Sequence, residues 1–203
     1  MVIIFNNLHV LVLRQWRALY LFLEALKKKK VIVFIDGSNF YHMVLHNFNQ
    51  EKIDFKKFVK FLTEKNKLVK TYYYNAPLNK KDNLEKYQRQ QKFFDSISRI
   101  PKTEVKLGRL EKRPNGPPVE KGVDVKMAVD IVTHAYANLF DVGIIVSRDA
   151  DFVPAIQAAQ DFGKEMINVC FPKTRSFHLD QVCDKTIVID KEKFEKLSWK
   201  KKV

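Results

Sequence analysis

Two runs of the chain restrict its fold more than anything else in it. "VIVFID", Val31 to Asp36, and "VGIIVS", Val142 to Ser147, are short, almost wholly apolar and rich in β-branched residues. A strand with one wet face alternates apolar and polar side chains. These two do not alternate, so both of their faces are expected to be buried. Around them the periodicity switches. "SNFYHMVLHNF", "DFKKFVKFLTEK", "NKKDNLEKYQRQQKFFDSISRI", "VDVKMAVDIVTHAYANL" and "DFVPAIQAAQDFG" carry apolar residues at helical spacing. "LVKTYYYNAP", "EMINVCF" and "TIVID" read as further strands, and "TEVKLGRLEKRPNGPP" as a strand running into a Pro/Gly loop. Strand–helix alternation with continuous apolar strands predicts an α/β fold. Its mainly parallel sheet is covered by helices on both faces, with right-handed crossovers.

Both apolar runs lead into carboxylates. Asp36 closes the first, and Asp149 and Asp151 follow the second. In open α/β sheets ligands bind beyond the carboxyl ends of the strands. If the two runs are neighbours, three acids gather at one edge, and Asp124, behind Gly122 at a helix start, is a fourth. Like charges that close repel, and a metal ion would compensate them. Oxygen ligands without His or Cys suit Mg²⁺ or Mn²⁺ rather than zinc. Such ions support in-line displacement at phosphorus. Each acid also has a local explanation. Asp36 before Gly37 suits a turn, and Asp124, Asp149 and Asp151 suit helix caps, worth about 1 kcal/mol each. Asp130 lies six residues after Asp124, off its helical face, and reads equally well as a core-edge acid.

The charge balance bears on partners. Lys and Arg number 37 against 23 Asp and Glu, a net charge of +14. That excess favours a polyanion. Lys80, Lys81, Lys86, Arg89 and Lys92 lie on one predicted helix, and Lys102, Lys106, Arg109, Lys112 and Arg113 follow it. With Tyr72–Tyr74 and Tyr87 as stacking groups, this pattern suits single-stranded nucleic acid. The plain alternative is a solvated lysine face beside a tyrosine run that alternates across a strand.

The chain divides into an apolar segment 1–29, a domain 30–190 and a basic tail 191–203. Leu8, Leu11, Val12, Leu19, Phe22, Leu23 and Leu26 predict an amphipathic N-terminal helix. It would dock on the domain, on a partner such as a second copy, or on a membrane surface. Arg14, Arg17 and Glu24 interrupt the segment, and a span needs about 20 apolar residues, so it is not expected to cross a membrane. Cys170 and Cys183 lack metal-site spacing, and two reduced thiols point to the cytoplasm.

"VFIDGSNFY", "KGVDVKMAVDI" and "VSRDADFVPAIQAAQDFGKE", in this order and at this separation, resemble the NYN domain of the PIN-like nuclease superfamily. They are most similar to its LabA-like subgroup. The resemblance implies a Rossmann-like three-layer α/β/α sandwich with a metal-dependent ribonuclease site. On it, Asp36, Asp124, Asp149, Asp151 and Asn39 match the family's catalytic positions, and the four aspartates would hold Mg²⁺ or Mn²⁺. Ser38, Lys121, Ser147, Arg148, Arg109 and Arg113 are the expected substrate contacts. Arg148 departs from the pattern, standing where relatives often carry Gly or a small residue. The function implied is hydrolysis of RNA, with a non-catalytic RNA-binding or regulatory module as the alternative. A haloacid dehalogenase-type phosphatase would need a second Asp where Ser38 stands.

Overall fold

The computed structural model describes residues 28–49, 53–64, 66–113 and 116–198. The expected N-terminal helix, and the last residues of the basic tail, lie outside the described residues.

Strand β1 (Lys30–Asp36) is buried from Val31 to its end, as its continuous apolar run requires. It passes directly into helix α1 (Gly37–Phe48), which α2 (Phe55–Thr63) follows. The chain then steps outward through β2 (Lys67–Asn75), α3 (Leu84–Ser98) and β3 (Thr103–Leu107). An antiparallel hairpin, β4 (Arg109–Arg113) and β5 (Gly116–Lys121), stands apart from the main sheet and leads into α4 (Val123–Tyr136). Strand β6 (Val142–Val146) returns the chain to the other side of β1, with Val33 beside Ile144 and Ile35 beside Val146. Then come α5 (Val153–Asp161), β7 (Glu165–Cys170), α6 (Phe177–Val182), β8 (Lys185–Val188) and α7 (Lys191–Leu197).

The main sheet has six strands, all parallel, in the order β3-β2-β1-β6-β7-β8. Its strand order reverses between β1 and β6, so those two carboxyl ends form the topological switch point. Alternate residues of β1 serve opposite layers because a strand has a period of two. Val31, Val33 and Ile35 pack with Phe40, Met43, Phe58, Phe94 and Phe194. Ile32 and Phe34 pack with Met127, Ile131, Ile156 and Leu179. The result is a three-layer α/β sandwich. Among the described residues no helix is long and apolar enough to cross a membrane.

Three regions differ from the sequence reading. The Pro/Gly loop after residue 107 is the β4–β5 hairpin. Tyr72, Tyr73 and Tyr74 are buried, so they are not stacking platforms. Tyr73 faces one layer, and Tyr72 and Tyr74 the other. Their hydroxyls bond His134 Nε2 at 2.9 Å, the Gly37 carbonyl at 3.3 Å and Asp130 Oδ2 at 2.7 Å respectively. Residues 191–197, read as the start of a tail, form α7, whose Phe194 and Leu197 enter the core. Phe194 stacks on Phe48 at 3.9 Å.

Candidate functional site

Asp36 ends β1 at the switch point and is only 2% exposed. Its Oδ1 accepts the Asn39 backbone N–H at 3.0 Å, which caps α1. Its Oδ2 accepts from the Asn39 side-chain amide and, at 3.1 Å, from the Ser147 hydroxyl. The turn-residue explanation of Asp36 is therefore correct locally and incomplete. The carboxylate is also gripped by a residue from the neighbouring strand's end. Gly37 makes this turn feasible. A Cβ there would stand 2.5 Å from Tyr73 Cζ and 2.6 Å from Asn75 Nδ2.

Ser147 couples the two acidic ends. Fully buried, it donates to Asp36 and accepts the Asp149 backbone N–H on the same Oγ, at 3.1 Å. Asp149 Oδ1 in turn accepts the Asp151 N–H at 3.0 Å and caps the 3₁₀ turn Ala150–Phe152. Asp124 sits in the first turn of α4, where the helix amides favour a negative charge. Gly122 before it has φ of 75°, a left-handed value that favours glycine.

The electrostatics bind these acids into one group. Burial raises the Asp36 carboxyl above its ordinary value, the hydrogen bonds from Asn39 and Ser147 oppose that, and the Asp149 charge adds to it. Asp124 is raised by desolvation and then by Asp36, Asp149 and Asp151. Glu120, which the sequence reading passed over, belongs to the same group. It is raised by partial burial and by Asp36 and Asp124, while a hydrogen bond from Ser38 lowers it. Its signal lay in the hairpin. On β5, Glu120 points opposite to its neighbours Val119 and Lys121, so hairpin register alone turns it toward α1.

The expected substrate contacts divide into two sets. Ser38, bonded to Glu120, and Ser147 lie within the acidic group, and Arg148 is exposed at its rim. Arg109 and Lys121 are register partners on the hairpin face opposite Glu120, and Arg113 shares that face of β4. All three are exposed. Asp130 is elsewhere. It accepts from Lys106 Nζ at 2.6 Å and from the Tyr74 hydroxyl, a structural network under β2. His134 donates from Nδ1 to the Asp130 carbonyl at 2.6 Å, so its Nε2 accepts from Tyr72.

Among the described residues no three His, Cys, Asp or Glu side chains converge, as placed, to hold a metal ion. The donor chemistry fits a hard cation all the same. The group is all carboxylate, mutually repelling, and Mg²⁺ usually keeps several waters and takes only one or two carboxylates directly.

The sequence profile described as "NYN domain" matches residues 30–190. The chain is 39% identical over 80 residues to a protein of Methanocaldococcus jannaschii described as the uncharacterized protein MJ0482. That match covers 36% of this chain and 33% of the relative, so the chain spans about a third of the relative's length. The fold is similar to the crystal structure of VPA0982, a Vibrio parahaemolyticus protein of unknown function. The TM-score is 0.66 at 23% identity, over 81% of this chain and 95% of that one.

Proposed function

The chain belongs to the NYN domain family, which has the PIN-like nuclease fold, and from that premise we propose that it is a metal-dependent ribonuclease. In this reading it is of the LabA-like type, hydrolyses phosphodiester bonds of single-stranded RNA and acts in the cytoplasm. The observation that carries the proposal is electrostatic. Asp36, Asp124 and Glu120 are all raised in part by one another's charge or by that of Asp149, at the switch point of a parallel sheet. A cluster of that kind opposes folding, and acids raised by one another's charge mark candidate functional sites.

Asp36, Asp124, Asp149 and Asp151 would hold Mg²⁺ or Mn²⁺, which when bound supplies charge neutralisation at the phosphate and an acidic bound water. The chain's own residues do the rest. Asn39 and Ser147 fix the orientation of the Asp36 carboxylate. Glu120, outside that ligand set and with raised proton affinity, is suited to take a proton from an attacking water. Arg148 at the rim is suited to grip a phosphate. Lys80, Lys81 and Arg89, exposed on and before α3, extend the basic character along which a strand would run.

One observation favours a binding module on the same fold: the acids do not close on a three-ligand metal site as placed. A cleavage assay on generic single-stranded RNA with Mn²⁺, Mg²⁺ or EDTA separates the two readings. Cleavage that needs metal is expected. Binding without cleavage across metals and varied substrates would replace the enzyme with the module.

A further inference from the structure

The outer face of α4 carries an apolar stripe that nothing described covers. Val125, Val129 and Tyr136 lie on it at steps of four and seven, the spacing of one helical face, while Val132 between them is half-buried against the core. Val125 is 67% exposed, Val129 53% and Tyr136 77%. Leu139 beyond the helix and Phe162 after α5 lengthen the stripe, and the Phe162 ring stands edge-on to Tyr136 at 5.6 Å. Val129 lines two shallow grooves, one shared with Leu107, the other with Pro154 and Ala155. Single exposed apolar residues need no explanation, but five on one side of α4 and its ends mark an interaction surface.

The chain reaches the domain at the end of this stripe. The Lys30 backbone N–H donates to Asp141 Oδ2 at 2.7 Å, and its Nζ donates to the Asn138 carbonyl at 2.8 Å. Lys29 Nζ meets Glu165 Oε2 at 2.6 Å. Asn138 and Asp141 follow α4, so Lys30 is anchored at the carboxyl end of that helix. The sequence before Lys28 offers the complement, with Leu19, Phe22, Leu23 and Leu26 at helical spacing. Lengths agree as well. From Val125 to Tyr136 a helix rises about 17 Å, and a helical residue 15–26 stretch would rise the same amount.

We propose that residues 8–26 dock on the α4 stripe of their own chain, apolar face to apolar face. The direction follows from the topology. Helix α4 ends at the sheet edge where β1 begins, so a segment that ends at Lys28 and lies along α4 runs parallel to it. Leu26 then meets Tyr136 and Leu139, Leu19 lies near Val129, and the amino end continues past Val125 toward Asp124. Tethering decides for the chain's own segment over a second copy. A few residues of linker hold it at a millimolar effective concentration beside the stripe. The docking is independent of what the acidic site does.

The test uses the full chain. Leu19→Cys, Phe22→Cys and Leu23→Cys are each combined with Val129→Cys and oxidised mildly. Native Cys170 and Cys183 are buried, their thiols pushed up to about 11 and 12, so they do not compete. A disulfide within one chain is expected in at least one pair. Disulfides only between chains would assign the stripe to a second copy and overturn the proposal, as would none in any pair. Independently, the Val129→Asp, Tyr136→Asp variant alters exposed positions and keeps the fold. It should open Arg14 and Arg17 to trypsin about tenfold faster than in the parent. An unchanged rate, or protection that arises only with anionic phosphatidylglycerol vesicles, would overturn the proposal.

Discussion

Asp36→Ala and Asp36→Asn together separate the structural work of this carboxylate from its chemical work. The alanine removes the α1 cap on Asn39 N, about 1 kcal/mol. It also strands the Ser147 hydroxyl, which is fully buried and loses its acceptor at 3.1 Å, about 1–3 kcal/mol. The half-buried Asn39 amide loses a partner too, at smaller cost. Against this, a desolvated charge near Asp149 disappears. The net destabilisation expected is about 2–3 kcal/mol, or a fall in Tm of about 4–12 °C for a chain of this size. Asparagine keeps the capping oxygen, and the Asn39 amide can turn over to present its oxygen, but the Ser147 hydroxyl still loses its acceptor, so the variant should be about 1 kcal/mol more stable than the alanine. Thermal unfolding at pH 7.5 measures both variants, and RNA cleavage with Mn²⁺ should be lost in both. Equal melting of the two variants, or an alanine variant more stable than the parent, would refute the hydrogen-bond account. Cleavage retained by a folded Asp36→Asn protein would refute the proposed role.

Asp149→Asn should keep its cap on the Asp151 N–H, melt within a few degrees of the parent and lose metal-dependent cleavage by orders of magnitude. Saturating Mn²⁺ should raise the parent's Tm, by the equivalent of about 2.7 kcal/mol at a hundred times Kd, and leave the variant's unmoved. Asp124 is raised in the folded state, so its contribution to stability is present below its unfolded value near 4 and is lost as pH rises through the folded value. Asp124→Asn should therefore gain on the parent at pH 7.5 and match it at pH 3.5 in urea titrations, and a constant gap would count against the assignment. Gly37→Ala drives a methyl against the Tyr73 ring at 2.5 Å and should cost about 1–3 kcal/mol of unfolding free energy, with loss of cleavage from a displaced Asp36. Replacing Lys80, Lys81, Arg89, Arg109 and Arg113 by Ala should weaken RNA binding and flatten its salt dependence, and an unchanged slope in binding titrations would place the RNA elsewhere.

The sequence by itself determined the class of fold and the edge where its acids lie. Short, β-branched apolar runs such as Val31–Ile35 and Val142–Val146 read as strands buried on both faces, and helical spacing between them supplies the covering layers. Because strand and helix periods are local properties, they survive in one dimension. The acids at the ends of those strands were legible for the same reason, and so was the alternation that hides Tyr72–Tyr74. What the sequence could not carry is anything set by distance between remote residues. That Ser147 grips Asp36 across 111 positions depends on β1 and β6 being neighbours. That Asp130 serves Tyr74 and Lys106 instead of the crevice depends on which way α4 faces β2 and β3. Glu120 enters the acidic group only because the β4–β5 hairpin folds back with a register that turns it toward Ser38, and turns Arg109 and Lys121 away. The same packing leaves Val125, Val129 and Tyr136 outside the core of the described domain. Periodicity says that a side chain has a preferred face; only the assembled layers decide what that face meets.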